Sequence, residues 1–304
     1  MTFDEFVKNF STEEQCRDYL FKLRWPNGFE CPKCGCDECW QIGDVLFECR
    51  RCRRQSSVIA GTIFQGTRKP LRAWFTAIWW ITTQKNGASA EGLRQVLGLK
   101  SYETSWAWLH KIRTAMVRSD RTKLSGKVEA DDFYLGGEEH GGGSGRGTGN
   151  KILVVGAVEL QDNGKLGRAR LGTVADASKE SLIGFINSNI EKGTTVITDG
   201  WPSYSSLPSE GYGHEVYVQK RASSEEEKLP HIHLVISLLK RWLLGTHQGA
   251  ISEKHMQAYL DEYVFRFNRR KSAKRGLLFY RLLEGAVATK PTTTLELYGK
   301  RIDF

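Results

Sequence analysis

Hydrophobic and polar positions follow two different periods along this chain, and the change between them divides it. Over residues 1–25, and again from Val58 to about Leu124, the apolar residues recur at helical spacing. Cys16, Tyr19, Leu20 and Leu23 follow the capping-box start Ser11-Thr12-Glu13-Glu14, so residues 1–25 read as one short amphipathic helix. Leu71 to Thr83 carries Trp74, Ile78, Trp79 and Ile81, dense enough for a buried helix. Ser89 caps a second helix that closes at Gly98, and Ser101 caps a third in which Trp106, Leu109, Ile112, Ala115 and Met116 share a face. This pair fits a helix-turn-helix with Ser101 to Arg118 as the reading helix, and fits a plain three-helix packing unit equally well. The tryptophans fit core positions better than base-stacking ones.

At Lys127 the period becomes two. Val128 to Leu135, Ile152 to Leu160 and Ala169 to Val174 read as strands, with Asn163-Gly164 turning the second into the third. Ser178 caps a helix to about Ile190, Thr194–Thr198 and Glu215–Val218 are further strands, and Pro230 suits the first turn of an apolar helix. Strands in series, then helix, strand, strand and helix, predict an α/β arrangement. Ser252 to Asn268 and Leu277 to Val287 read as closing helices around the basic stretch Arg269–Arg275. The loop Gly136–Gly149 has glycine spacings that imitate a nucleotide-binding loop. It opens no helix, so it reads instead as a flexible, DNA-facing connection. Residues 219–229 read as a charged linker.

Composition adds a partner class. The chain has 304 residues, 40% of them hydrophobic, which is enough for several domains with a substantial core. A net charge of +9 and a pI near 9.2 point to a polyanion, nucleic acid before membrane. The longest apolar run, Ala73 to Thr82, is too short to span a bilayer, and the start Met1-Thr2-Phe3-Asp4-Glu5 is acidic where an export signal is basic. The expected location is cytoplasmic and nucleoid-associated.

Six of the seven cysteines lie between Cys31 and Cys52. Cys31-Pro-Lys-Cys34 and Cys49-Arg-Arg-Cys52 are two CxxC knuckles whose separation leaves room for a hairpin from Trp40 to Phe47. That is the layout of a zinc ribbon with a structural ion. Cys36 and Cys39 form a third pair that competes for the ligand roles. The arginines at 50, 51, 53 and 54 are a phosphate-binding run or a solvated face.

A second set of residues carries chemistry. Asp131 lies within the first strand of the α/β region, Asp199 ends a later one, and carboxylates so placed can converge at one edge of a sheet. On the helix after Pro230, His233, Ser237 and Lys240 stand at i, i+4 and i+7 and share a face. Two carboxylates and a third ligand can hold divalent ions against a phosphodiester, with a lysine on the backbone phosphate. The bland readings are an Asp-Gly turn at 199–200, Asp132 as the inward residue in place of Asp131, and a core histidine at 233. His231 and the glutamates at 225–227 are rival third ligands.

Taken with Ala60-Gly-Thr-Ile-Phe64, Tyr134-Leu-Gly-Gly137, Thr198-Asp199-Gly200-Trp201, Leu239-Lys240-Arg241-Trp242 through Gly249, and Tyr263 through Arg270, these motifs resemble one family. It is the insertion-sequence transposases with an N-terminal zinc ribbon and a ribonuclease-H-like DDE-type catalytic domain, the fifteen-ninety-five insertion-sequence family. The resemblance implies that Asp131 and Asp199 are catalytic, that Lys240 follows the third ligand by seven, and that His233 stands where the wider superfamily has glutamate. Imidazole is a weaker partner for magnesium than carboxylate and suits manganese better.

The resulting expectation is a multidomain α/β protein. An N-terminal helix (1–25), a zinc ribbon (26–57) and a helical, helix-turn-helix-like region (58–125) precede a ribonuclease-H-like mixed sheet (126–250) and basic C-terminal helices (251–304). Expected cofactors are structural zinc on Cys31, Cys34, Cys49 and Cys52, and magnesium or manganese on Asp131, Asp199 and His233. The expected function is a DNA transposase that binds terminal inverted repeats and target DNA as a homodimer or higher oligomer. The rival expectations are a transposase-derived DNA-binding protein without catalysis, and a nuclease without strand joining.

Overall fold

The computed structural model describes residues 1–118, 120–136, 151–162, 164–217, 229–247, 251–272 and 276–298. The glycine-rich loop beyond Gly136 and the charged linker up to Lys228 lie outside these residues. In chain order the elements are helices α1 (Phe3–Asn9) and α2 (Glu13–Arg24), strands β1 (Cys39–Ile42), β2 (Leu46–Cys49) and β3 (Gln55–Ser57), and helices α3 (Leu71–Thr83), α4 (Ala90–Leu97) and α5 (Tyr102–Thr114). Strands β4 (Lys127–Leu135), β5 (Ile152–Leu160) and β6 (Leu166–Thr173), helix α6 (Lys179–Asn189), strands β7 (Thr195–Thr198) and β8 (Gly213–Val216) follow. Helices α7 (Pro230–His247), α8 (Glu253–Phe267), α9 (Leu277–Ala288) and α10 (Thr294–Tyr298) are the last elements among the described residues.

These elements fall into two compact units, Met1–Arg118 with Ser272–Phe304, and Ser119–Lys271. Of the segment 251–304, α8 therefore lies in the second unit and α9 in the first.

In the first unit the single helix expected at the N-terminus is two. Thr2 caps α1 and Thr12 caps α2, each through a capping box, the second closed by Gln15 and not by a glutamate. Phe6, Phe10, Phe75 and Phe279 form an aromatic core with ring centroids 5.0–6.0 Å apart. Pro70 has no side-chain oxygen to cap α3, and the Glu13 carboxylate does so from α2, accepting from the amides of Leu71 (2.7 Å) and Arg72 (3.0 Å). Gly98 closes α4 in the left-handed conformation that glycine adopts without strain. Along α5 only Tyr102 and Glu103 are exposed, and Trp108 stacks on Trp74 at 3.9 Å, so the body of this helix is core.

The second unit holds a five-stranded mixed sheet of order β6-β5-β4-β7-β8. The first three strands are antiparallel, and β4, β7 and β8 are parallel. This is the α/β, ribonuclease-H-like mixed sheet with helices that the periodicity and the resemblance together predict. The pleat sorts the side chains between two cores. Val128 and Ala130 of β4 and Val155 and Ala157 of β5 face α6. Phe133 and Leu135, with Ile152, Val154 and Val158, face α7 and α8. Odd positions of β4 therefore look toward α7. Among the described residues no helix is long and apolar enough to cross a membrane.

Candidate metal centres

The first centre is the ribbon. Gly35 donates its amide to the Cys31 carbonyl and Arg53 donates its amide to the Cys49 carbonyl, both 2.9–3.0 Å. Gly35 and Arg53 also share a left-handed φ, +67° and +59°. The two knuckles are thus the same turn used twice. The β1–β2 hairpin between them brings the pairs together, with Sγ atoms 3.5 Å apart for Cys31 and Cys52 and 3.6 Å for Cys34 and Cys49. A zinc tetrahedron with bonds of about 2.3 Å has edges of roughly 3.8 Å, so the four thiolates fit the ion closely. All four ligand atoms lie within 4.8 Å of one another. Cys36 and Cys39 stay outside this set: Cys36 is buried and directs its thiol to the Glu38 carbonyl, and Cys39 begins β1.

The second centre lies at the middle of the mixed sheet. The parallel register pairs Lys127 with Thr195 and Glu129 with Ile197, which sets Asp131 level with Asp199 just past the end of β7. Asp131 belongs to the odd, α7-facing positions, and the Nε2 of His233 in the first turn of α7 is 3.3 Å from its Oδ2. Its Oδ1 accepts the amide of Asp132 at 2.9 Å. Burial pushes the Asp131 carboxyl up to about 6, a shift that His233 opposes and the carboxylates of Asp199 and Asp132 reinforce. Asp199 is exposed, and its Oδ1 accepts the Trp201 amide at 3.0 Å, so it is a turn former as well as a carboxylate at the sheet edge. Asp132, the rival to Asp131, points to the other face. There burial, together with Asp132, Asp131 and Asp199, holds the Tyr204 phenol well above its usual range. Lys240 is exposed two turns beyond His233 on the same helical face, roughly 10 Å along the axis.

Gly156 lets α7 approach this closely. It sits opposite Asp131 on β5, and a Cβ there would stand 2.9 Å from Ile232 Cδ1 and 3.1 Å from Leu171 Cδ2. Gly156→Ala is expected to lower stability by about 1–3 kcal/mol through overpacking. A urea midpoint equal to wild type would show that α7 does not press on the sheet at this point.

Sequence reasoning missed one participant. Glu129 is 4% exposed on the α7 side of β4. Its carboxylate accepts from the amides of His231 and Ile232, both at 2.9 Å, and from His231 Nδ1 at 2.6 Å. The signal was there: Glu129 is two residues before Asp131 and so shares its face, and a carboxylate on an apolar face must have partners. His231, a rival third ligand in the sequence, is turned to Glu129 and to the Gly164 carbonyl at 3.1 Å. The other rivals, Glu225, Glu226 and Glu227, lie outside the described residues.

Residues 123–268 match the ISXO2-like transposase domain, and residues 11–55 match a transposase zinc-ribbon domain. The chain is also 28% identical over 282 residues to an uncharacterized protein in transposable element ISH50 of Halobacterium salinarum, covering 86% of this chain and 92% of that protein. The two matched domains coincide with the ribbon and with the sheet that carries Asp131, Asp199 and His233, so the chain is similar to insertion-sequence transposases in both its zinc ribbon and its transposase domain.

Proposed function

We propose that the protein is a DNA transposase that recognises terminal inverted repeats through its N-terminal unit and cuts and joins DNA strands at Asp131, Asp199 and His233. The observation that carries this reading is the Asp131 carboxylate. It is half-buried, level with Asp199 and 3.3 Å from His233, and burial together with the neighbouring carboxylates pushes it up to about 6. A divalent cation is the counter-charge that two carboxylates and an imidazole so placed suit. Bound magnesium or manganese supplies activation of a water or 3′-hydroxyl and stabilises the leaving oxygen. The protein's own residues do the rest. Asp131 and Asp199 bind through oxygen, His233 completes the set through nitrogen, and Lys240 takes a backbone phosphate as a point charge. The DNA complex is expected to hold two or more copies of the chain, a number that light scattering of the complex reads directly.

The test is a strand-cleavage and strand-transfer assay on the DNA flanking the gene, run in magnesium and then in manganese. The wild type is expected to work better in manganese. His233→Glu is expected to raise the magnesium-to-manganese activity ratio, because carboxylate oxygen suits the harder ion. An unchanged ratio would remove His233 from the ligand set. A second reading, a DNA-binding protein without catalysis, is favoured by one observation. Among the described residues only the four cysteines bring three or more ligand atoms within 4.8 Å of one another. It predicts repeat-end binding with no cleavage products in either ion.

A further inference from the structure

We infer that Glu129 is a positioning residue, one that supplies the N-terminal cap of α7 from a neighbouring strand and so holds His233 against Asp131. This rests on the proposed role of His233.

A helix leaves its first amides without partners inside the helix, and a cap normally supplies an oxygen from the residue just ahead of the first turn. Here that residue is Leu229, which is buried at 2% exposure and has no side-chain oxygen, and Pro230 opens the helix without an amide of its own. The amides that follow, those of His231 and Ile232, donate instead to a single oxygen of Glu129, more than a hundred residues earlier in the chain. His231 adds a side-chain bond to the other oxygen and, through its second ring nitrogen, ties the same point to the Gly164 carbonyl. A negative charge at this end is also where the helix dipole favours it.

The arrangement matters because of where His233 sits. Its amide makes an early bond of the helix, to the Leu229 carbonyl at 3.0 Å, so it belongs to the turn that frays first. Glu129 and Asp131 are alternate residues of one strand and face the same way, about 7 Å apart along it. They grip α7 at two points, Glu129 at the backbone of 231 and 232 and Asp131 at the ring of 233. A helix shifted by one residue would turn His233 through roughly 100° and carry it away from Asp131. The capping carboxylate excludes that slip.

The experiment compares the full-length wild type with Glu129→Ala, His233→Ala and the double variant. It uses duplex DNA taken from the flank of the gene, with manganese present. Glu129→Ala is expected to bind the DNA end within about twofold of wild type and to cut it at least about tenfold more slowly, the scale of losses at residues that orient ligands. If Glu129 acts through His233, the double variant cuts no more slowly than His233→Ala alone. Hydrogen exchange in the metal-free, DNA-free protein gives a readout apart from activity. The amides at the start of α7 are expected to lose protection in Glu129→Ala and to keep it in His233→Ala. Glu129→Gln, which retains an acceptor, is expected to fall between, and carries the comparison if the alanine variant does not fold. Losses that multiply in the double variant, or unchanged exchange at the start of α7, would overturn the inference while leaving the role of His233 intact. Wild-type cleavage by His233→Ala would overturn both.

Discussion

Asparagine at position 131 is expected to cost roughly a thousandfold in strand cleavage and, in the metal-free protein, to raise stability at neutral pH. The first effect follows from losing a carboxylate from the proposed divalent-cation site, whose charge stabilisation is worth several kcal/mol at about 1.4 kcal/mol per tenfold. The second follows from the sign of the carboxyl shift. Folding raises the Asp131 carboxyl from 3.8 to about 6, chiefly by burial. The folded state therefore holds this proton more tightly than the unfolded chain. Stability is fully present below about pH 4, is lost as the pH rises through about 6, and stays lost above it, an effect on the order of 2–3 kcal/mol. Asparagine has no proton to lose and escapes that penalty. Thermal melts of both proteins in chelator should separate at pH 7.5 and converge near pH 4. Added manganese should then raise the melting temperature of wild type and leave that of Asp131→Asn nearly unchanged. Equal melts at pH 7.5, or undiminished cleavage by the variant, would contradict this account of the carboxylate.

Removing one zinc ligand is expected to unfold the ribbon while leaving the mixed sheet folded. Strands of four, four and three residues cannot sustain a core by themselves, so the ion must provide most of the stability. Structural zinc sites of this kind contribute apparent binding energies of about 10–16 kcal/mol, and their folding is inseparable from metal binding. Cys49 is fully buried and begins the second knuckle, so Cys49→Ser removes a ligand at the least accessible point. Beside the hairpin, Phe21, Trp25, Phe29 and Phe47 pack with centroids 5.0–6.1 Å apart, which gives Trp25 fluorescence as a reporter. Chelator or Cys49→Ser should redden that emission and expose the amides of 39–57 to exchange, with β4 and β5 still protected. Retained protection of the hairpin without zinc would show that the aromatic cluster is sufficient.

Much of this fold is legible because the relevant patterns are local. The period-two run from Val128 and the unbroken apolar run from Ile152 mark the two central strands. Ser89, Ser101 and Ser178 each cap a helix where the sequence places the start. The misplacements come from non-local pairing. Strand β8 runs Gly213–Val216, two residues earlier than its polarity suggests, because its register is set by parallel pairing of Gly213 with Thr195. The sequence pattern runs α1 and α2 together, although Thr2 and Glu5 spell a capping box of their own for α1.

The places of the two aspartates in their strands are legible, whereas their being neighbours is not a local property. One sits inside a strand and the other at a strand end, and only the parallel pairing of β4 with β7 makes them neighbours. Glu129 escaped because an alternating strand reads as half solvated, and a glutamate in it passes for the wet side. Both faces of β4 are covered in the folded unit, one by α6 and the other by α7 and α8, which the sequence of one strand does not reveal.

The central claim is that Asp131, Asp199 and His233 share one divalent cation. The most direct measurement is anomalous scattering from crystals of the protein grown with manganese. The account predicts a manganese peak within bonding distance of both carboxylates and of His233 Nε2, absent in Asp131→Asn. Manganese bound elsewhere, or cleavage that proceeds with no ion between these residues, would contradict it.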